Sequence, residues 1–152
     1  MAKKKEGENN LNDQKIYSMK IIASFVLLIL FTSCDFGKID HPKAKALVEN
    51  LLYDLKAENY SSLDKYYTSS FNESEPLDQK AEKFKRLKDT MGAMKSFEFI
   101  SSEEKKDADK GINQLELKYK VACEKVTVLE TYLVINDEGD QKIIFQNIEN
   151  FK

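Results

Sequence analysis

Three patterns of apolar and polar positions follow one another along the chain. The first lies between Lys20 and Asp35, KIIASFVLLILFTSCD, whose centre from Ile21 to Phe31 is an apolar run. At ~1.5 Å of rise per residue, a helix of about 11 residues covers roughly half of a ~30 Å hydrocarbon core, so the run is too short to span a membrane stably. From Pro42 the spacing changes to steps of three and four. Ala44, Leu47, Val48, Leu51, Leu52 and Leu55 form one wide stripe, predicting a core-facing helix with Pro42 in its first turn and Asp40 or His41 at its cap. Ser61 or Ser62 is placed to cap a short second helix that carries Leu63, Tyr66 and Tyr67 inward and ends near Ser69, with Phe71 behind it. Asn72 to Glu75 reads as a turn. A third helix starts at Pro76, capped by Ser74 or Glu75, keeps Leu77, Ala81, Phe84, Leu87 and Met91 in step, and stops at Gly92.

From Met94 onward the period is two. Phe97 and Phe99 alternate with Glu98, and Glu103 to Lys110 reads as a charged turn. Leu115, Leu117, Tyr119 and Val121 then alternate with Gln114, Glu116, Lys118 and Lys120, the pattern of a half-buried strand. After a tight turn near Glu124 and Lys125, Val126 to Ile135 makes a third strand. Asn136 to Asp140 reads as a hairpin loop, and Ile143 to Ile148 as the closing strand. The fold class expected is α+β: N-terminal helices packed on a curved, four-stranded antiparallel sheet.

The short apolar run has Lys15 and Lys20 as a positive flank and small residues behind it, as in a secretory signal. Its end, Phe31-Thr32-Ser33-Cys34, resembles the lipobox of bacterial lipoproteins, with Phe31 where that box usually carries leucine. The resemblance implies that the chain is cut before Cys34, that Cys34 carries fatty-acyl chains, and that membrane lipid is its first partner. Several acyl chains, at ~0.8 kcal/mol per buried CH₂, hold firmly where one holds only reversibly. The division expected is therefore a signal peptide over 1–33, a lipidated tether over 34–41 and an α+β domain over 42–152. Within the signal, 1–18 is polar and charged, and Met19 offers a more economical start. The alternative is an uncleaved signal anchor using Ile16 to Phe31.

Charge and cysteine content narrow the rest. Lys and Arg number 24 against 26 Asp and Glu, a net charge of −2, so no basic field argues for nucleic acid as a partner. There are two cysteines. With lipid on Cys34, Cys123 has no partner within the chain, and its place in an alternating strand makes it a small buried hydrophobe. The single histidine, His41, has no second ligand near it in the sequence, so neither a metal site nor a catalytic triad is expected, nor any cofactor. Lys80, Lys83, Lys85, Arg86 and Lys88 read as a solvated helix face, interrupted by Glu82 and Asp89.

The order helix, short helix, helix ending at Gly92, then strands, with the junction Met91-Gly92-Ala93-Met94-Lys95, resembles the cystatin-like or nuclear transport factor-like cone over Pro42 to Phe151. That family implies a cone mouth able to hold a small ligand or an active site. Tyr53, Tyr60, Tyr66 and Tyr67 form an aromatic interval, and Tyr66, Tyr67, Tyr119, Glu130 and Tyr132 are the candidate ligand-binding residues. No catalytic residue is assigned. The expected function is a lipid-anchored module of the bacterial cell envelope, outside the cytoplasm, binding a small apolar ligand or a protein without catalysis. Two other classes stand beside it. One is a cone-fold isomerase or hydrolase using Glu130 with Tyr119 and Tyr132; it needs a deep cavity with a buried carboxyl of raised pKa. The other is an assembly module with an exposed apolar patch on the open sheet.

Overall fold

The computed structural model describes residues 38–107 and 111–152. The signal region 1–33, Cys34 and the first part of the tether lie outside the described residues. In chain order the structure contains α1 (His41–Lys56), a 3₁₀ turn (Leu63–Tyr66), α2 (Ser69–Ser74), α3 (Leu77–Met91), and strands β1 (Met94–Lys106), β2 (Asn113–Cys123), β3 (Thr127–Asp137) and β4 (Asp140–Asn150). The strands form one antiparallel sheet in the order β1-β2-β3-β4, so the domain is α+β, helices first and sheet second. Among the described residues, no helix is long and apolar enough to cross a membrane.

Asp40 caps α1, its Oδ1 accepting the backbone N–H of Lys43 at 3.1 Å, and Pro42 sits in the first turn where no N–H is needed. The predicted stripe is the buried one: Ala44, Val48, Leu51 and Leu52 are completely covered. The tether, however, ends earlier than expected. Ile39 is buried in the core, and the carbonyl of Lys38 accepts the side-chain N–H of Asn136 at 2.9 Å. Lys38 to Asp40 therefore belong to the folded body, because a single isoleucine has somewhere to dock even in a polar run.

The segment between α1 and α3 also departs from expectation. The second helix is only a 3₁₀ turn, and Ser62 before it makes no capping bond. The turn expected over Asn72–Glu75 lies largely within α2, capped by Thr68, whose Oγ1 accepts the backbone N–H of Phe71 at 3.3 Å. Asn72 then donates to the carbonyl of Asp64 at 3.0 Å, tying α2 to the 3₁₀ turn. Six residues carry too little apolar period to announce a helix, so the cap decides. Pro76 is the cap of α3 rather than its first residue, and neither Ser74 nor Glu75 caps it.

The lysine face of α3 is not uniformly solvated. Lys80 has no exposed surface: its Nζ lies 2.9 Å from Asp64 Oδ1, donates to the carbonyl of Glu75, and sits 5.4 Å from the ring of Tyr67. Because α2 folds over this side, Lys80 becomes the staple between α2, α3 and the 3₁₀ turn. Gly92 then ends α3 at φ 82°, where a side chain is strained. A Cβ there would lie 2.5 Å from Cβ of Glu124, so α3 and the β2–β3 turn approach at glycine distance.

Strand β1 runs on through Glu103 to Lys106, where a charged turn was expected. It is an edge strand, and its charges pair across the sheet, Lys105 with Glu116 at 2.5 Å. The β3–β4 connection is tighter than the five-residue loop expected: β3 ends at Asp137 and β4 begins at Asp140, leaving Glu138 (φ 54°) and Gly139 (φ 101°) as the turn. On the core side, register sets Phe99, Tyr119, Glu130 and Ile148 in one row, with Leu117, Tyr132 and Gln146 beside it.

Candidate functional site

Of the five candidate residues, the fold brings four together. Tyr119 and Glu130 are register partners on β2 and β3. Tyr132, two residues beyond Glu130, shares its face of the sheet, since side chains alternate along a strand. The ring of Tyr132 meets that of Tyr119 edge-on at 6.2 Å. Tyr67 reaches in from the connection between the 3₁₀ turn and α2, its ring stacked on Phe71 at 4.5 Å. Tyr66 points elsewhere. Its hydroxyl donates to Asp54 Oδ2 at 2.5 Å, Lys65 binds the same carboxylate at 3.0 Å, and the group fixes the 3₁₀ turn to α1. These bonds, that of Tyr66 foremost, hold the Asp54 carboxyl below its usual range.

The residue that unites the cluster was not expected from the sequence. Gln146 accepts the Tyr67 hydroxyl on Oε1 at 2.8 Å and donates from Nε2 to Glu130 Oε2 at 3.3 Å. Tyr132 donates its hydroxyl to the same Glu130 oxygen. Both bonds therefore arrive at Oε2, and among the described residues none reaches Oε1. A glutamine in a strand of mixed pattern looks like any solvated polar residue; its only signal is that Ile148, two positions on, faces the core.

Glu130 is 3% exposed, and burial raises its pKa, opposed by the bonds from Tyr132 and Gln146 and by the charge of Lys83. Burial likewise raises the hydroxyls of Tyr132 and Tyr67, and the nearby Glu130 charge adds to both. Tyr119 is also raised by burial, and its hydroxyl has no hydrogen-bond partner among the described residues.

Glu130 also lines a cavity. The space, about 50 Å³, lies inside a wider cleft between the end of α1, the second half of α3 and the sheet. Leu55, Phe84, Leu87, Met91, Met94 and Ile148 make its apolar wall, and Cys123 adds a thiol that burial pushes up from its ordinary value, helped by the charges of Glu130 and Glu124. Cys123 is thus a cleft residue, partly buried, rather than a fully covered one. Also in the lining, Lys88 pairs with Glu58 at 2.6 Å, joining α3 to the left-handed residue that follows α1. A volume of this size admits a few waters or one small polar head group, well below the ~300 Å³ of a pocket that encloses a drug-sized molecule. A larger hollow, of about 560 Å³, holds none of the five candidates and is bordered by Asp107, next to the undescribed residues 108–110.

Elsewhere the chemistry is sparse. No group of three or more His, Cys, Asp or Glu side chains suited to a metal ion occurs among the described residues. His41 Nε2 lies 2.6 Å from Glu104 in an exposed pair that links α1 to β1. The outer face of the sheet alternates Lys118, Lys120 and Glu116 with Leu129, Leu133 and Phe145. No family model matches the chain, and neither the curated proteins nor the solved structures gave a match.

Proposed function

We propose that this chain is a bacterial envelope lipoprotein, anchored through acylated Cys34, whose domain is a cystatin-like or nuclear transport factor-like cone that binds a small, mostly apolar ligand without transforming it. The helix-then-meander order supports the cone, and the short apolar run ending in Thr32-Ser33-Cys34 supports the anchor. The observation that carries the binding reading is the cleft itself: apolar walls with the Glu130 carboxyl among them, whose Oε1 accepts no hydrogen bond among the described residues. Concave apolar sites with a few fixed polar groups are the usual form of ligand sites.

A catalytic role for the same carboxyl needs a second polar group aimed at the reacting atom. The Tyr132 hydroxyl is committed to Glu130 Oε2 and the Tyr67 hydroxyl to Gln146, and Tyr119 is not part of the cavity wall. One carboxyl with one oxygen unpartnered among the described residues is suited to holding a ligand.

Met91 and Met94 line the cleft, so their methyl groups report on its occupancy. With full-length protein carrying ¹³C-methyl methionine in phosphatidylcholine nanodiscs, n-butanol shifts both resonances saturably, and Leu87→Trp, which fills the cleft, abolishes the response. No saturable shift, or an equal one in the variant, contradicts the binding reading. The anchor is tested separately by intact mass of protein purified from bacterial membranes. A mass starting at Cys34 plus acyl groups, lost in Cys34→Ala, is expected; an unmodified full-length mass means a signal anchor instead.

A further inference from the structure

Resting on the binding reading above, the nature of the ligand follows from how Glu130 is held. Three features define what the carboxyl accepts at Oε1, which has no hydrogen-bond partner among the described residues. The two donors to Glu130, the Tyr132 hydroxyl and Gln146 Nε2, both approach Oε2, so half of the solvation that an ionised carboxylate needs is already built in. Gln146 cannot turn away, since its own Oε1 is held by the Tyr67 hydroxyl at 2.8 Å. What the site lacks is a counter-ion: among the described residues no lysine or arginine forms an ion pair with Glu130. Lys83, whose charge is felt there, pairs with Glu75 at 2.6 Å, and Lys88 is taken up by Glu58.

A buried carboxylate without a cation is costly, and a ligand that supplies one recovers that cost on binding. The cavity beside it, about 50 Å³, accepts only a small head group, and Leu87, Met91 and Met94 share in its apolar wall. Methionine side chains adapt to varied apolar shapes and suit a flexible chain.

We propose that the ligand of this cleft carries an ammonium group on a short apolar body, seated with an N–H on Glu130 Oε1 and its hydrocarbon against Leu87, Met91 and Met94. A hydroxyl in the same place makes a neutral hydrogen bond only, and a carboxylate meets Glu130 with like charge. Amine is thereby selected over alcohol, and alcohol over acid, at equal chain length.

The test compares n-butylamine, n-butanol and butyrate, read at the methyl resonances of Met91 and Met94 in the full-length protein in nanodiscs. Butylamine is expected to bind at least tenfold more tightly than butanol, with butyrate weakest. In Glu130→Gln the advantage of the amine disappears while butanol still binds, which also reports that the variant is folded. Equal affinity for amine and alcohol, or a preference for butyrate, overturns the ammonium assignment and leaves the cleft standing as a binding site. Absence of saturable shifts with all three probes removes the binding reading as well. The wild-type order of affinities decides the matter even if the variant does not fold.

Discussion

Tyr132 donates its hydroxyl proton to Glu130 Oε2, two residues back on β3 and on the same face of the sheet. Gln146, from β4, donates to that oxygen as well, at 3.3 Å. Oε2 accepts twice, and among the described residues nothing donates to Oε1. The network thus distinguishes the two oxygens of the carboxyl, and it does so with side chains from β3 and β4 held in register.

The Glu130 carboxyl makes the stability of the domain depend on pH. Its pKa in the folded chain is raised above the ordinary 4.5 by burial, so the folded chain keeps this proton to higher pH than the unfolded chain does. Its contribution to stability is fully present below about pH 4.5 and is lost as pH rises through the folded-state value. Glu130→Gln stays neutral at every pH and keeps the acceptor for Tyr132 and Gln146. Relative to wild type, the variant is expected to gain stability progressively as pH rises from 4 to 8, seen as a melting temperature that falls less with pH than that of the wild type. Groups shifted the other way, such as Glu116 beside Lys105, cancel in the comparison. A difference between the two proteins that stays constant from pH 4 to 8 contradicts the assignment.

Replacing Lys80 tests the staple under α2. Lys80→Met keeps the length and loses the bonds to Asp64 Oδ1 and the Glu75 carbonyl. Asp64 is 43% exposed and regains water, so the cost falls mainly on the carbonyl: about 1–2 kcal/mol by denaturant unfolding. Lys85→Met, on the exposed side of the same helix, is expected within ~0.5 kcal/mol of wild type. Equal effects at the two positions argue against the staple.

Much of this architecture is legible in the sequence, for a reason visible at particular residues. The stripe from Ala44 to Leu55 and the alternation from Leu115 to Val121 are periods imposed by burial on one side, and burial is what the structure shows for them. Glu130, Tyr132 and Tyr119 were readable as a group because one strand period separates the first two and an antiparallel neighbour carries the third. What stayed hidden depends on contacts between elements distant in the chain. Lys80 reads as solvated until α2 folds across it, Gln146 reads as surface until Tyr67 arrives from 79 residues away, and Ile39 reads as tether until it meets the core. The cleft was expected only as the mouth of a fold type; its wall of Met91, Met94 and Cys123 comes from the close approach at Gly92.

That approach has its own test. Gly92→Ala places a Cβ 2.5 Å from Cβ of Glu124 and strains φ at 82°. The expected cost is about 2 kcal/mol or more in unfolding free energy. Gly139→Ala, at φ 101° with nothing within 4 Å of the added carbon, carries strain alone and is expected to cost less. The reverse order contradicts the close packing of α3 on the β2–β3 turn.

The most direct measurement of whether the cleft admits a ligand uses the thiol in its wall. In full-length Cys34→Ala protein, Cys123 is the sole cysteine, and methyl methanethiosulfonate at pH 8.5 reports its accessibility as a rate. Saturating n-butylamine is expected to slow that reaction at least fivefold, and Leu87→Trp to slow it without any ligand. A rate that neither the amine nor the tryptophan changes means that Cys123 is reached by another route, and the cleft is then not the binding site.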